Sequence, residues 1–175
     1  MKLNEYTAQN GKPRSMEANE HVFRQGEKSQ SLYVVKSGLL KAYYLSADGK
    51  ENIKSFILPG DSIGSLSAVH AQQACTFSLV CLKPSELIVV NFQGLYEATR
   101  KDPEISANVV DFLLRFGMKK EMREYELLCL SAEERYLRLQ DNAPELFNLV
   151  TQNEIARYLG ITPVALSRIK KRVTV

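Results

Sequence analysis

Residues 154–172 read EIARYLGITPVALSRIKKR and hold two short helical patterns on either side of a glycine. Apolar residues recur at helical spacing in both halves: Ile155 and Leu159 come before the glycine, Leu166 and Ile169 after it. Two helices that cross closely need a small residue at the crossing, which Ala156 supplies, and Ile161 fills the corner. Gly160 tolerates the positive φ of a tight turn. The stretch therefore predicts a helix-turn-helix.

Capping residues mark where the helices of this region begin. Residues 151–154 (TQNE) form a capping box ahead of the first helix of the motif, and residues 131–134 (SAEE) form another ahead of an earlier helix. Thr162 is suited to the N-cap of the second helix of the motif, with Pro163 at its first position. Both helices of the motif thus have a local start signal.

Positive charge is concentrated at the end of the chain. From Leu166 onward there are four basic residues and no acidic one, whereas the rest of the chain has 19 basic and 20 acidic residues. A basic tip on a near-neutral body suits a polyanion such as DNA, although a solvated helix end would carry the same charges to complement its dipole. The side chains that we expect to contact DNA are Thr151, Gln152, Thr162, Val164, Ser167, Arg168, Lys170, Lys171 and Arg172.

Composition narrows the class of protein. The 175 residues are 45% hydrophobic, enough for a real core, yet no apolar run reaches the roughly 20 residues that cross a bilayer. The polar opening MKLNEYTAQNGKPR does not resemble a signal peptide, so we expect a cytoplasmic protein without membrane contact. Three cysteines without a C-x-x-C pair predict buried, inert thiols, and two widely spaced histidines do not suggest a metal site.

The first half of the chain has the pattern of β structure. Residues 21–64 string short runs of Val, Tyr, Ile and Phe between turns that contain glycine, which favours a sandwich or jelly roll. The Asp48-Gly49 pair predicts a hairpin. Residues 75–92 (CTFSLVCLKPSELIVVNF) suggest a further strand pair, with KPSE as its turn.

A long helix is predicted over residues 102–130. Asp102 is a suitable N-cap, Pro103 fits the first helical position, and apolar residues follow at helical spacing from Ile105. Its apolar stripe is wide enough to contact both the roll and a second copy of the helix, which favours a homodimer. Packing entirely within one chain is the alternative.

Taken together, the roll, the long helix and the motif at the end resemble the Crp/Fnr family of bacterial transcription regulators. The similarity is carried by FRQGEKSQSLYVVKSGLLKAYY at 23–44, ADGKENI at 47–53, FILPGDSIG at 56–64, DPEI at 102–105 and the helix-turn-helix. It implies an α+β chain: a double-stranded β-helix or jelly roll over residues 1–98, a dimerisation helix over 99–130 and a DNA-binding unit over 131–175. The implied partners are double-stranded DNA, a second copy of the chain and RNA polymerase.

The resemblance also locates a ligand pocket, because nucleotide-binding relatives carry a phosphate-binding cassette at the positions of residues 63–78. Here Ser65 stands where the glutamate for the ribose is expected and Cys75 where the arginine for the phosphate is expected, while the hydroxyl survives as Thr76. The pocket that this implies comprises Gly64, Ser65, Leu66, Cys75, Thr76, Lys120 and Glu121. Without the arginine a buried phosphate loses its charge-assisted contact, so we expect no cofactor and no regulation by cyclic AMP. The roll then binds an unknown small effector, senses a partner or serves as a scaffold.

Two departures from the family concern DNA recognition. Where the cyclic-AMP receptor protein reads bases with an arginine, a glutamate and a second arginine, this chain has Pro163, Val164 and Arg168, so its operator is expected to differ. Because the sequence ends at Val175, we expect the DNA-binding unit to lack most of the β-hairpin wing that many relatives place after the second helix of the motif. The alternative function is therefore a ligand-binding or protein-interaction module whose DNA-binding end is degenerate. An enzyme is not expected, because no catalytic motif or cluster of metal ligands is present.

Overall fold

The computed structural model describes residues 2–173, so the last two positions of the predicted DNA-binding unit lie outside the described residues. The helices are α1 (Leu3–Asn10), α2 (Leu66–Ala71), α3 (Phe92–Lys101), α4 (Pro103–Cys129), α5 (Ala132–Asn142), α6 (Leu146–Leu149), α7 (Gln152–Leu159) and α8 (Pro163–Val173). The strands are β1 (Lys12–Met16), β2 (His21–Phe23), β3 (Ser31–Ser37), β4 (Leu40–Leu45), β5 (Glu51–Ile57), β6 (Ser62–Ile63), β7 (Ser78–Cys81) and β8 (Ser85–Asn91).

The strands form two four-stranded antiparallel sheets that face each other. One sheet has the order β1-β8-β3-β6 and the other β2-β7-β4-β5. Inward-facing side chains of both sheets make one core, in which Val35, Leu40, Leu79 and Leu87 are at most 1% exposed. Alternation of buried and exposed residues along strands is what a two-layer roll requires. The predicted α+β fold with a jelly roll is confirmed.

The hairpin predicted at the Asp-Gly pair is confirmed. β4 and β5 pair from Leu40↔Ile57 to Leu45↔Glu51, and Gly49 has a φ of 79°. The turn is closed by Ser46, whose N–H donates to the carbonyl of Lys50 at 3.0 Å. This hairpin carries the strand that later contacts the helical unit.

The prediction that residues 75–92 form a pair of adjacent strands is wrong, because the two strands do not pair with each other. Both strands exist, but β7 pairs with β2 and β4, whereas β8 pairs with β1 and β3 in the other sheet. Ser85 is buried and its Oγ donates to the carbonyl of Lys83 at 2.7 Å, which tightens the connection between the sheets. Residues 82–84 are therefore a crossing between two layers and not a hairpin turn.

Three helices lie in the first half of the chain, where the sequence pattern predicted β structure. α1 precedes the roll and buries Tyr6, α2 follows β6, and α3 begins directly after β8. The long helix agrees closely with its prediction, because the side chain of Asp102 accepts hydrogen bonds from the N–H groups of Glu104 and Ile105. The domain boundaries expected from the resemblance stay a prediction.

Candidate nucleic-acid interface and cavity of the roll

The helix-turn-helix has a closed apolar core. Ile155, Ala156, Leu159, Leu166 and Ile169 are each at most 3% exposed, and they pack against α5 and α6 through Tyr136, Leu139 and Leu146. Gly160 makes the turn at a φ of 69°, and its N–H reaches the carbonyl of Ala156. The crossing that the sequence predicted is therefore formed as expected.

The predicted caps are all present. The Thr151 side chain accepts from the N–H of Glu154 at 3.2 Å, and Glu154 Oε2 accepts from the N–H of Thr151 at 3.0 Å. In α8 the N–H of Ala165 donates to Thr162 Oγ1 at 3.2 Å. Both threonines thus act as helix caps, and Thr151 Oγ1 also donates to Glu154 Oε2. Both hydroxyl groups are thus used within the protein, and their contact with DNA stays a prediction.

Four of the predicted DNA-contacting side chains share one exposed stripe of α8. Val164 is 61% exposed, and Ser167, Arg168 and Lys171 are exposed on the same helix face. Positions three and four apart lie above one another on a helix, so this stripe is continuous. We call Val164, Ser167, Arg168 and Lys171 the outer stripe.

The other two basic side chains of α8 are engaged within the protein. Lys170 Nζ donates to Gln152 Oε1 at 3.0 Å, so two predicted DNA-contacting residues bind each other across the motif. Arg172 forms a 2.8 Å ion pair with Glu133 on α5. The charge that faces outward is therefore smaller than the sequence count indicates.

The altered cassette contains both buried and exposed residues. Ser65 and Cys75 are 1% and 2% exposed, and Ser65 Oγ lies 3.2 Å from Ser67 Oγ. Thr76 is exposed, and Glu121 is exposed on the opposite face of α4. The exposure of these residues thus differs from one to the next, and their role in binding a ligand stays a prediction.

A cavity of about 580 Å³ lies instead between β5, α4 and α5, below the helix-turn-helix. Of the seven predicted pocket residues, only Lys120 lines it. Its basic lining residues are Lys54, Arg115, Lys119, Lys120, Arg123, Arg135 and Arg138, and its acidic ones are Asp61, Glu126 and Glu145. Sequence reasoning missed this site because its charges come from a strand and two helices far apart in the chain.

The helix-turn-helix is docked on the roll by ion pairs. Glu51 Oε2 on β5 lies 2.9 Å from Arg157 Nη1 on α7 and 3.1 Å from Lys41 Nζ on β4. Lys41, whose side chain is 10% exposed, also lies 3.6 Å from Glu154 Oε1. We call Lys41, Glu51, Glu154 and Arg157 the docking network.

Aromatic contacts extend this docking to the long helix. Phe56 on β5 packs against Tyr158 at 5.5 Å between ring centroids. The Arg123 guanidinium lies 3.9 Å from the centre of the Tyr158 ring and donates to the Tyr158 carbonyl. Burial raises the pKa of the Tyr158 hydroxyl. The first helix of the motif therefore contacts both the roll and α4.

The cysteine and histidine side chains lie in different surroundings. Burial raises the pKa of both Cys75 and Cys81, which keeps these thiols protonated. Cys75 lies in the loop before β7 and not in a strand, and Cys129 is exposed, which corrects two expectations. His21 bonds the Tyr43 hydroxyl at 2.9 Å. Among residues 2–173 no cluster of three potential metal ligands occurs, and no helix there is long and apolar enough to cross a membrane.

Comparison with known proteins agrees with this architecture. Residues 13–102 match the family described as cyclic nucleotide-binding domain. Electron transport regulator A of Shewanella oneidensis is 27% identical over 172 residues, covering 90% of this chain and 66% of the relative. Regulatory protein HlyX of Actinobacillus pleuropneumoniae is 29% identical over 174 residues, covering 90% and 69%. The chain thus spans about two thirds of the length of these curated relatives.

Solved structures support the fold. FixK2 from Bradyrhizobium japonicum superimposes with a TM-score of 0.81 at 19% identity, covering 94% of this chain and 84% of that one. The match includes the roll, the long helix and the helical unit, because it covers nearly the whole chain. By sequence match, regulator relatives and architecture, the chain belongs to the Crp/Fnr family, which is built on a cyclic nucleotide-binding domain.

Proposed function

We propose that the chain is a sequence-specific DNA-binding transcriptional regulator of the Crp/Fnr type. The observation that carries the proposal is the outer stripe of α8, which a fully packed and capped motif holds at the surface. Arg168 is the candidate for a bidentate contact with guanine, Val164 for a thymine methyl group, and Lys171 for a phosphate. The relatives named as regulators support the same function.

The regulator acts as a homodimer through α4 and works in the cytoplasm together with RNA polymerase. A symmetric dimer places two outer stripes in successive major grooves of a palindromic site. The exposed apolar face of α4 supports this assembly, since Leu114, Met118 and Leu128 are 61%, 67% and 76% exposed. The proposal includes no catalytic activity, because the relatives are named as regulators.

Selection of DNA fragments from a genomic pool, followed by anisotropy titration on the enriched sequence, tests the proposal. The logarithm of the binding constant should fall with the logarithm of salt concentration. Arg168→Ala should cost about 1–3 kcal/mol on the enriched site and relax its sequence preference. Lys171→Ala should weaken binding on every sequence, and Lys36→Ala, on the exposed surface of β3, should change nothing.

One observation favours the alternative of a ligand-binding or protein-interaction module. Arg168 is the one arginine of the outer stripe, and Pro163 and Val164 occupy the positions where the resemblance implies an arginine and a glutamate that read bases. If the anisotropy of every DNA stayed unchanged on addition of the protein at low salt, that alternative would be favoured and the regulator function refuted.

A further inference from the structure

The half-buried side chain of His21, on β2, meets two other polar side chains of the roll. His21 Nε2 lies 2.9 Å from the Tyr43 hydroxyl and 3.3 Å from Arg24 Nη1. The His21 and Tyr43 rings meet edge to face, with 6.2 Å between their centroids. One nitrogen of the imidazole is therefore shared by a phenol and a guanidinium.

The guanidinium determines which form of the imidazole this arrangement accepts. Arginine has only N–H donors and stays charged in proteins, so Arg24 can bind Nε2 only where that nitrogen offers a lone pair. A neutral imidazole with its hydrogen on Nδ1 meets this requirement. A proton on Nε2 would remove the acceptor and set two cations 3.3 Å apart. The contacts therefore hold His21 in its neutral form.

The charges around His21 favour the same neutral form. Burial, followed by the positive charges of Arg24 and Lys41, lowers the pKa of His21, and the carboxylates of Glu27 and Glu51 oppose this to a smaller extent. These four charged groups come from the loop after β2, from β4 and from β5, whereas β7, which pairs with β2, consists of the uncharged residues SLVC. A proton on the imidazole would thus enter a region in which positive charge prevails.

Tyr43 connects His21 to the docking network. The Lys41 ammonium lies 5.2 Å from the centre of the Tyr43 ring, and β4 carries both residues. The same ammonium lies 3.1 Å from Glu51 Oε2 and 3.6 Å from Glu154 Oε1 on α7. A charge on the imidazole therefore acts on the buried cation that binds the first helix of the motif.

We propose that His21 is a pH sensor for the docking of α7. When its imidazole takes up a proton from the solvent, Arg24 is expelled, a positive charge is added near Lys41, and the contact between the roll and the helix-turn-helix is loosened. The imidazolium donates through Nε2 to the Tyr43 hydroxyl, whose own hydrogen turns away. The effect on DNA binding rests on the proposed function, whereas the protonation and the loosening of α7 do not.

The direction of the pH dependence follows from the lowered pKa of His21. In the unfolded chain the imidazole has its ordinary pKa of 6.5 and takes up a proton below it, whereas the folded protein resists that proton. The stabilisation that neutral His21 contributes is therefore fully present above the unfolded pKa and is lost as the pH falls through the folded pKa. The docking of α7 is expected to weaken on the acid side only.

NMR titration of the imidazoles in the whole chain tests the sensor, because His21 and His70 are the two histidines of the sequence. His70→Gln leaves the signal of His21 alone, and we expect its pKa to lie below 6.5. Arg24→Gln, which keeps an N–H donor and removes the charge, should raise this pKa. A pKa of His21 at or above 6.5, or one unchanged by Arg24→Gln, would overturn the sensor.

Hydrogen exchange, corrected for the intrinsic effect of pH, measures the docking of α7. Protection of α7 in the parent and in His70→Gln should be about fivefold lower near pH 5 than near pH 7.5. His21→Gln keeps an acceptor that does not titrate, so its α7 should be equally protected at both values. The same acid loss of protection in His21→Gln would exclude His21 as its cause. Neither measurement contains DNA, so a protein that passes both and binds no DNA retains the sensor and loses only the regulator function.

Discussion

Gly160 makes the turn between the two helices of the helix-turn-helix, and its backbone conformation favours glycine. Its φ of 69° is in the left-handed region, where a Cβ is unfavourable. We expect Gly160→Ala to lower the free energy of unfolding by about 1 kcal/mol and Gly160→Asn by less, as read from urea unfolding. Gly117→Ala, in the interior of α4, is the matched control and should raise stability by up to about 1 kcal/mol. Equal effects of the two alanine variants would contradict the role of the turn.

The cassette residues predict the response to cyclic nucleotides. With Cys75 in place of the expected arginine, nothing on the cassette neutralises a cyclic phosphate, and the Cys75 thiol stays protonated. We expect the melting temperature to be unchanged by cyclic AMP and by cyclic GMP. A bound ligand at 100 times its dissociation constant would add about 2.7 kcal/mol, which differential scanning fluorimetry detects easily. A clear upward shift would show that the cassette still binds nucleotide.

At the scale of elements, the exposed apolar face of α4 is the surface through which we propose that the chain dimerises. Leu114, Met118, Tyr125 and Leu128 lie along one face at three- and four-residue steps, and Glu121 falls in the middle of it. A two-fold axis running along α4 would bring each of these residues near its own copy. In the proposed dimer the face would then be an apolar seam with one like-charged pair at its centre, which would lower the stability of the dimer.

Substitutions of Leu114 and of Glu121 should change the dimer dissociation constant in opposite directions. Leu114→Asp should raise the dimer dissociation constant by about a hundredfold or more, because the lost apolar contact occurs in both chains. Glu121→Leu should tighten the dimer by removing the like-charged pair. Light scattering coupled to gel filtration over a dilution series measures both. Leu137→Asp, at an exposed leucine on α5, should leave the dimer unchanged. A dimer insensitive to Leu114→Asp would exclude α4 as the seam.

Local signals explain which elements the sequence predicts well. The starts of α4, α5, α7 and α8 agree with the structure because a cap is a contact between residues two to four apart. Pairing of strands is not local. The KPSE stretch has the composition of a turn, yet buried Ser85 and the crossing at residues 82–84 send β8 into the other sheet. Short helices such as α2 lacked a pattern long enough to distinguish them from strands.

The same distinction applies to the candidate site. The outer stripe follows from helical spacing, so Val164 and Arg168 could be predicted as exposed. That Lys170 and Arg172 turn toward Gln152 and Glu133 depends on packing between helices. The basic side chains that line the cavity come from a strand and two helices that are distant in the chain, and only the fold brings them together.

At the scale of the whole molecule, the docking network joins the roll to the helical unit. Glu51 binds two cations at once, and one of them, Lys41, is almost buried. We expect Glu51→Gln to lower the free energy of unfolding by about 1–3 kcal/mol, because it removes a carboxylate partner from Lys41. Hydrogen exchange should become faster in α7 and stay unchanged in β7.

Glu86→Gln is the matched control for this prediction. Glu86 is on β8 in the other sheet, where its carboxylate accepts from Ser15 Oγ at 2.9 Å. The control should leave exchange in α7 as in the parent. If α7 were equally protected in both variants, its docking would not depend on the network.

The side chain of Glu154 has two structural roles, which together limit the substitutions that position 154 can accept. One of its oxygens completes the capping box of α7, and the other lies 3.6 Å from Lys41 in the roll. A substitution that removes the Glu154 carboxylate alters both the start of a helix and the charge balance of a distant strand. Homologous chains that change position 154 are therefore expected to change position 41 as well, so the two halves of the protein evolve as a pair.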